Sequence, residues 1–432
     1  MNGINQQKEQ IEQTVRTEQT RADGHHHRGY ESLEVQGHLR WVPVILGSLI
    51  MMCLGTVYSW SVFRLSVQEV YGVGATAGGL PYMASLAFYA VSMLLTGRHL
   101  GDVSPRKMIW IGSVLVAGGW MLSSLVTGIV GLTLSYGVLI GTGVGFAYGA
   151  PMIVAARWFP RQKGLAVGLV LLGFGMSPLV TAPLVRILLE GVGLSRTFLI
   201  LGAAFGVLMP LLAIPLRLPP LEGAVVGSGR GRNGDPHEVS TDRMLRTRSF
   251  PGLYGTFLIG TTIGLTVIGL TGPIGITHVG LSSAGAAGLI SLFAVFNGLG
   301  RPLFGWLTDR LGPQNAIRIS YGLITAASAL MLLAGPGRPV AFALAFSLFW
   351  LNLGGWLAIA PTTTLSFYGT RYYGQNYGVL FTAYGLGAVV GVLLSGFILD
   401  VLGSVSLIFA LVAVLAMTGL LLSGRVVREQ TD

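Results

Sequence analysis

The chain has 432 residues, of which 52% are hydrophobic and 10% charged, with a mean hydropathy of +0.68. Soluble domains carry roughly 25% charged residues, so this composition excludes an ordinary globular protein. The single cysteine, Cys53, excludes an internal disulfide framework and a multi-cysteine metal centre, and the formal charge of +10 calls for a look at where the basic residues lie.

In chain order, residues 1–40 are polar and lack apolar periodicity. They are expected to form a mobile cytoplasmic tail, with no cleavable signal peptide because no apolar segment precedes a small-residue cleavage site. The His25-His26-His27 run is expected to be a solvated patch, since adjacent histidines without a further ligand make a poor metal site. Twelve apolar spans follow, at 41–63, 76–97, 108–127, 129–156, 164–189, 197–216, 251–272, 284–306, 317–335, 339–360, 376–399 and 404–424. Each is long enough to cross a hydrocarbon core as a helix of about 20 residues. Of the 27 Lys and Arg residues, 22 fall in the two tails and in the connections after even-numbered spans. Arg64, Arg186, Arg196 and Arg338 fall on the other side, and Arg301 lies inside a span. This bias predicts a multi-pass protein of the cytoplasmic (inner) membrane with both termini in the cytoplasm, lipid as its surroundings and no nucleic-acid partner.

The Pro, Gly and Arg-rich stretch 217–250 divides the spans six and six. The expected organisation is therefore a tail (1–40), an N-terminal six-helix half (41–216), a cytoplasmic linker (217–250), a C-terminal six-helix half (251–424) and a C-tail (425–432). The halves echo one another: GRHLGDVSPRK (97–107) corresponds to GWLTDRLGPQN (305–315), and RWFPRQKGLAVG (157–168) to RYYGQNYGVLFT (371–382). Like-oriented duplicated halves describe a carrier that rocks about a central site, and a monomer suffices to form such a path.

Arg301 is the one charge in the run LISLFAVFNGLGRPLFGWL. An unpaired arginine near the middle of a membrane helix costs at least about 2.5–3.5 kcal/mol. No Asp or Glu lies within a span; Asp400 closes the eleventh, and Asp102, Asp309, Glu69 and Glu190 fall at or beyond span ends. The expected partner is a ligand carboxylate held by two parallel hydrogen bonds, with Asn297, four residues earlier, donating to the same group. The alternative is that Arg301 snorkels to the interface. Position 93 of the first half, the counterpart of Arg301, is Met93, so the charged site belongs to the second half. With no titratable acid in the membrane, any coupled proton is expected to act through the substrate or its pairing with Arg301.

By Gly305-x-x-x-Asp309-Arg310-x-Gly312, the chain resembles the major facilitator superfamily. The first-half copy departs from that pattern: Asp102 lies one position late, Val103 replaces a basic residue, and Pro105 precedes Arg106 and Lys107. The gating role the resemblance implies for Asp309, Arg310, Asp102 and Arg106 is thus less complete in the first half. Four further motifs are similar to the branch of oxalate–formate antiporters and bacterial monocarboxylate transporters. They are Tyr58-Ser-Trp60-Ser-Val-Phe63, Arg157-Trp-Phe-Pro-x-x-Lys-Gly-Leu-Ala166, Asn297-Gly-x-x-Arg301-Pro302 and Asn376-Tyr-Gly378. The resemblance covers about residues 40–425 and implies an all-α membrane protein of twelve transmembrane helices in two six-helix halves. It also implies secondary transport of small organic anions by alternating access.

In the antiporters of that branch, an arginine of helix 8 and a lysine of helix 11 together bind the dicarboxylate. Arg301 retains the first, and Tyr384 stands in the place of the second. One cation instead of two suits a monocarboxylate of lactate, pyruvate or formate size, moved by symport with a proton. Two alternatives stay open: an oxalate–formate antiporter in which Tyr384 hydrogen-bonds the second carboxylate, and a non-transporting membrane sensor with the same fold.

The polar aromatics inside spans are Tyr58, Trp60, Tyr82, Tyr89, Tyr136, Tyr148, Trp356 and Tyr384. Most such residues are packing or interface residues. Tyr58, Tyr148, Trp356 and Tyr384, away from span ends or on matching motifs, are the candidates to line the substrate path, with Phe381 one turn before Tyr384. Gly141, Gly145 and Gly149, like Gly387 and Gly391, recur every four residues inside apolar runs and read as close-packing faces, not as phosphate loops. Arg186 and Glu190 have i,i+4 spacing for an interfacial pair. No nucleophile with a base, acid pair, metal cluster or Walker motif appears, which argues against an enzyme, a resident cofactor or metal, and an ATP-driven pump.

Overall fold

Within lipid every backbone polar group needs an internal partner, so apolar spans of this length fold as helices. A computed structural model describes residues 40–97, 103–159, 163–219, 238–369 and 372–426, and the described residues contain helices and no strand. The first half provides α1 (Val42–Tyr71), α2 (Ala75–Gly97), α3 (Pro105–Ser123) and α4 (Ile129–Trp158). A long helical stretch, Lys163–Ala213, is broken at Gly193 (φ 79°, ψ 177°), a backbone region open essentially only to glycine. Its parts before and after that residue are α5 and α6. The second half provides α7 (Ser249–His278), α8 (Ser283–Leu311), α9 (Pro313–Ala334), α10 (Pro339–Tyr368), α11 (Tyr373–Leu402) and α12 (Val405–Leu422).

Among the described residues, ten continuous helices are long and apolar enough to cross a membrane. The Gly193 break adds one more to the spans, and α3, with Arg106 and Lys107 in its first turn, is shorter and more polar. Glycines in the left-handed region stop α1 (Gly72, φ 62°) and α8 (Gly312, φ 81°). Serine hydroxyls accept the Lys107 and Gly285 amides at the starts of α3 and α8. The first helix runs eight residues past its expected end, to Tyr71, so Arg64 lies inside it instead of in a loop.

The first six helices meet the last six chiefly along α2–α11, α5–α8 and α1–α7. Glycines permit the close approaches within and between them. A Cβ at Gly145 of α4 would fall 2.7 Å from the Tyr89 carbonyl of α2, and one at Gly387 of α11 would fall 2.6 Å from Thr261 Oγ1 of α7. Where the linker returns, the Val239 amide donates to the Tyr368 carbonyl (3.0 Å). The buried Asn376 of α11 accepts from Thr241 Oγ1 (2.8 Å) and donates to the Val239 carbonyl (3.0 Å). This asparagine therefore anchors residues 239–241 to α11. The N-tail up to residue 39 with His25–His27, Asp102 and most of the linker lie outside the described residues.

Candidate functional site

The interior of α8 carries the intramembrane arginine. Arg301 is 3% exposed, so it does not snorkel to the interface. Its Nη1 donates to the Leu171 carbonyl of α5 at 2.5 Å, and its Cζ lies 5.9 Å from the Phe174 ring centre. Its Nε and Nη2 have no partner among the described residues. Those two nitrogens form the side edge of the guanidinium, where two N–H bonds run parallel, the geometry that grips both oxygens of a carboxylate. The one tie that is made fixes the plane of the fork and leaves that edge free.

Asn297 sits one turn earlier, buried, and its amide nitrogen donates to the Trp350 carbonyl of α10 at 3.0 Å. One of the two N–H groups of that nitrogen is thus tied to α10, the other remains a donor, and Oδ1 has no partner among the described residues. Both that oxygen and the arginine edge converge on Gly175 of α5. A Cβ there would lie 2.7 Å from Asn297 Oδ1 and 3.2 Å from Arg301 Nε. Glycine permits this close approach of α5 to the guanidinium edge, which any side chain would block.

Around Phe174 the structure gathers aromatic rings from both halves. Tyr58, in a five-residue 3-10 stretch of α1 (Gly55–Ser59), packs edge-on to Phe174 at 5.2 Å. A tightened turn within a long helix often marks a hinge. Tyr148 of α4 lies 5.4 Å from the same ring. Tyr89 of α2 lies 5.1 Å from Tyr148, 5.1 Å from Phe381 and 5.7 Å from Tyr384 of α11. Phe381 and Tyr384 stack at 4.7 Å. Across the interface of the halves the Tyr58 and Tyr384 hydroxyls share a hydrogen bond of 2.7 Å. Arg301, Asn297, Tyr58, Tyr148, Phe381 and Tyr384 thus converge. Phe174 and Gly175 join them, although nothing in an apolar run marks either, and Tyr89 does so at a position the sequence left among packing residues.

Other expected residues lie elsewhere. Trp356 of α10 is buried against Gly260, Tyr321 and Phe257, and reaches the cluster only through Phe257, 6.4 Å from Phe381. Asp309 and Arg310 are exposed at the end of α8, with the Arg310 guanidinium 5.4 Å from the Trp306 ring centre. Arg106 donates to the Leu216 carbonyl beyond α6 at 3.0 Å. Arg186 and Glu190 form the expected pair at 2.7 Å.

A second buried cation was not foreseen. Arg64 is 1% exposed, donating to the Gly269 carbonyl of α7 (3.0 Å) and the Ala75 carbonyl of α2 (2.7 Å). Those carbonyls, far away in sequence or beyond a turn, supply what a hydropathy profile cannot see.

The geometry can be set beside known proteins. The sequence profile described as Major Facilitator Superfamily matches residues 45–392. The oxalate:formate antiporter of Oxalobacter formigenes is 29% identical over 356 residues, covering 82% of this chain and 83% of that protein. Monocarboxylate transporter 12 of Mus musculus is 28% identical over 352 residues, covering 74% and 72%. A solved bacterial homologue of the human lysosomal transporter Spinster, inward-facing and unoccupied, superposes with a TM-score of 0.62 at 14% identity. It covers 90% of this chain and 94% of that one, and the likeness is one of fold. With that profile spanning most of a multi-pass helical chain, the protein belongs to the major facilitator superfamily and is a transporter, not an enzyme.

Proposed function

We propose that the protein carries small monocarboxylates by alternating access, with the substrate carboxylate seated on the free edge of Arg301. The observation that carries this reading is the pair of unpartnered donors, Nε and Nη2, on a buried guanidinium whose remaining nitrogen is tied to Leu171. A buried charge-assisted donor pair left unmatched is costly, and a carboxylate admitted as the helices part beside Gly175 matches it. Asn297 Oδ1 is an acceptor beside that edge, which suits a substrate hydroxyl next to the carboxylate, as in a 2-hydroxy acid such as lactate. Tyr58 and Tyr384, joined across the halves, close over the bound substrate, and Tyr148, Phe381 and Phe174 limit its size.

The charge bias supports both termini on the cytoplasmic side, and the six-plus-six repeat supports two halves rocking about this site. Since no acid pairs with Arg301 among the described residues, a coupled proton neutralises the substrate or alters its pairing with the arginine. A second reading, oxalate–formate exchange, is favoured by the similarity to the Oxalobacter formigenes antiporter, with the Tyr58–Tyr384 hydroxyls donating to a second carboxylate. Uptake of radiolabelled L-lactate into proteoliposomes, with and without an inward proton gradient, decides between them. Gradient-stimulated lactate uptake is expected. Rapid oxalate–formate exchange without lactate uptake would establish the antiporter, and ligand binding with no counterflow of either anion would mean a sensor.

A further inference from the structure

At the face opposite the linker, α1, α2, α7 and α11 meet around one residue, Ala75. Its amide donates to Asp400 Oδ1 at 2.6 Å, and its carbonyl accepts from Arg64 Nη2 at 2.7 Å. The next amide, of Thr76, donates to Asp400 Oδ2 at 2.7 Å. Asp400 is exposed in the widened last turn of α11, whereas Arg64 is buried and reaches across to the Gly269 carbonyl of α7. Three buried polar atoms here have no partner among the described residues: Arg64 Nε, Ser61 Oγ and Tyr82 Oη. Arg64 and Tyr82 both pack over Gly269, where a Cβ would lie 3.9 Å from Arg64 Nη1 and 2.9 Å from the Tyr82 ring. A carboxylate is thus held by two parallel amides at the positive end of a 23-residue helix, with a buried guanidinium on the carbonyl side of the same first residue.

Ownership of these groups matters. Arg64, Ala75 and Thr76 belong to α1 and α2, while Asp400 and Gly269 belong to α11 and α7. Parting of the halves at this face removes Asp400 and Gly269 together and leaves the amide donors behind, with a guanidinium that keeps the Ala75 carbonyl but loses the Gly269 carbonyl and the nearby anion. We propose that Arg64 with the Ala75 and Thr76 amides is a second, outer carboxylate site. Asp400 fills it when this face is shut, and the substrate's carboxylate fills it when the face opens. The proposal rests on the anion-carrier reading above. It places a cation six residues, about 9 Å of helix rise, along α1 from Tyr58, on the way to Arg301. The substrate then passes from one guanidinium to the other, and Asp400 competes with it for the outer pair of amides.

The test is the KM for L-lactate and for oxalate at each face, measured in intact cells and in inside-out vesicles, for Arg64→Gln and Asp400→Asn. Arg64→Gln is expected to raise the outer KM about tenfold or more. Asp400→Asn, which removes the competing charge, is expected to lower it by about threefold or more. The KM at the linker face should move less than about twofold in either variant. A simple latch predicts that both substitutions loosen one closure and shift the outer KM in the same direction; that result, or no shift in either, overturns the proposal. Arg64→Lys serves where Arg64→Gln is poorly produced, since it also loses the fork. If the wild type carries neither anion, the carrier reading itself falls and this site with it. If it carries one but the two variants do not diverge, the outer site alone is wrong.

Discussion

Replacing Arg301 by lysine keeps a positive charge and removes the fork, which separates charge from geometry. The arginine uses Nη1 on the Leu171 carbonyl and offers Nε and Nη2 as a parallel pair. A lysine ammonium is a single point that cannot hold the carbonyl and present two parallel donors at once. The substitution therefore loses one charge-assisted hydrogen bond to the substrate, about 1.5–3 kcal/mol. At about 1.4 kcal/mol per decade, the KM for L-lactate should rise about 10- to 150-fold. Initial uptake rates in proteoliposomes, over a range of lactate concentrations and normalised to reconstituted protein, measure it. A KM within about twofold of wild type would refute the bidentate geometry and leave Arg301 only a diffuse electrostatic role.

Gly175→Ala puts a methyl group 2.7 Å from Asn297 Oδ1 and 3.2 Å from Arg301 Nε, against the edge that takes the carboxylate, and should raise the lactate KM at least about tenfold without loss of folded protein by gel filtration. Tyr58→Phe and Tyr384→Phe remove opposite ends of one 2.7 Å hydrogen bond, so their effects on transport should be non-additive, with the double variant close to either single one. Full additivity in that cycle would mean that the two hydroxyls act separately. Tyr384→Lys brings an ammonium to the site opposite Arg301 and should shift competition against labelled lactate toward oxalate. Unchanged mono- versus dicarboxylate selectivity would defeat the charge-count reasoning.

Arg301 was legible because a charge within an apolar run is too costly to be incidental. Tyr58 and Tyr384 were legible as candidates, yet their bond joins residues 326 positions apart, a meeting no local pattern encodes. Phe174 and Gly175 carried no signal, since a phenylalanine and a glycine in a membrane helix look like packing. Asn297 was legible by its position, one turn before Arg301, but not by its tie to α10: the Trp350 carbonyl of another helix takes one of its N–H groups and fixes which way its oxygen faces. Arg64 was placed in a loop because a hydropathy profile ends a span at a charge, whereas the carbonyls of Ala75 and Gly269 keep this charge inside the protein. Helix positions followed from apolar length alone, but the break at Gly193 fell in a connection that the chain makes with almost no loop.

The central claim is that a substrate carboxylate docks on Arg301, and ligand-dependent thermal stabilisation tests it without the need for turnover. A ligand that binds only the folded carrier raises its unfolding temperature as its concentration exceeds Kd. Purified wild-type protein in detergent should show a concentration-dependent rise in Tm with L-lactate, and Arg301→Ala, folded by the same criteria, should show none. An equal rise in both proteins would contradict the account and place the carboxylate elsewhere.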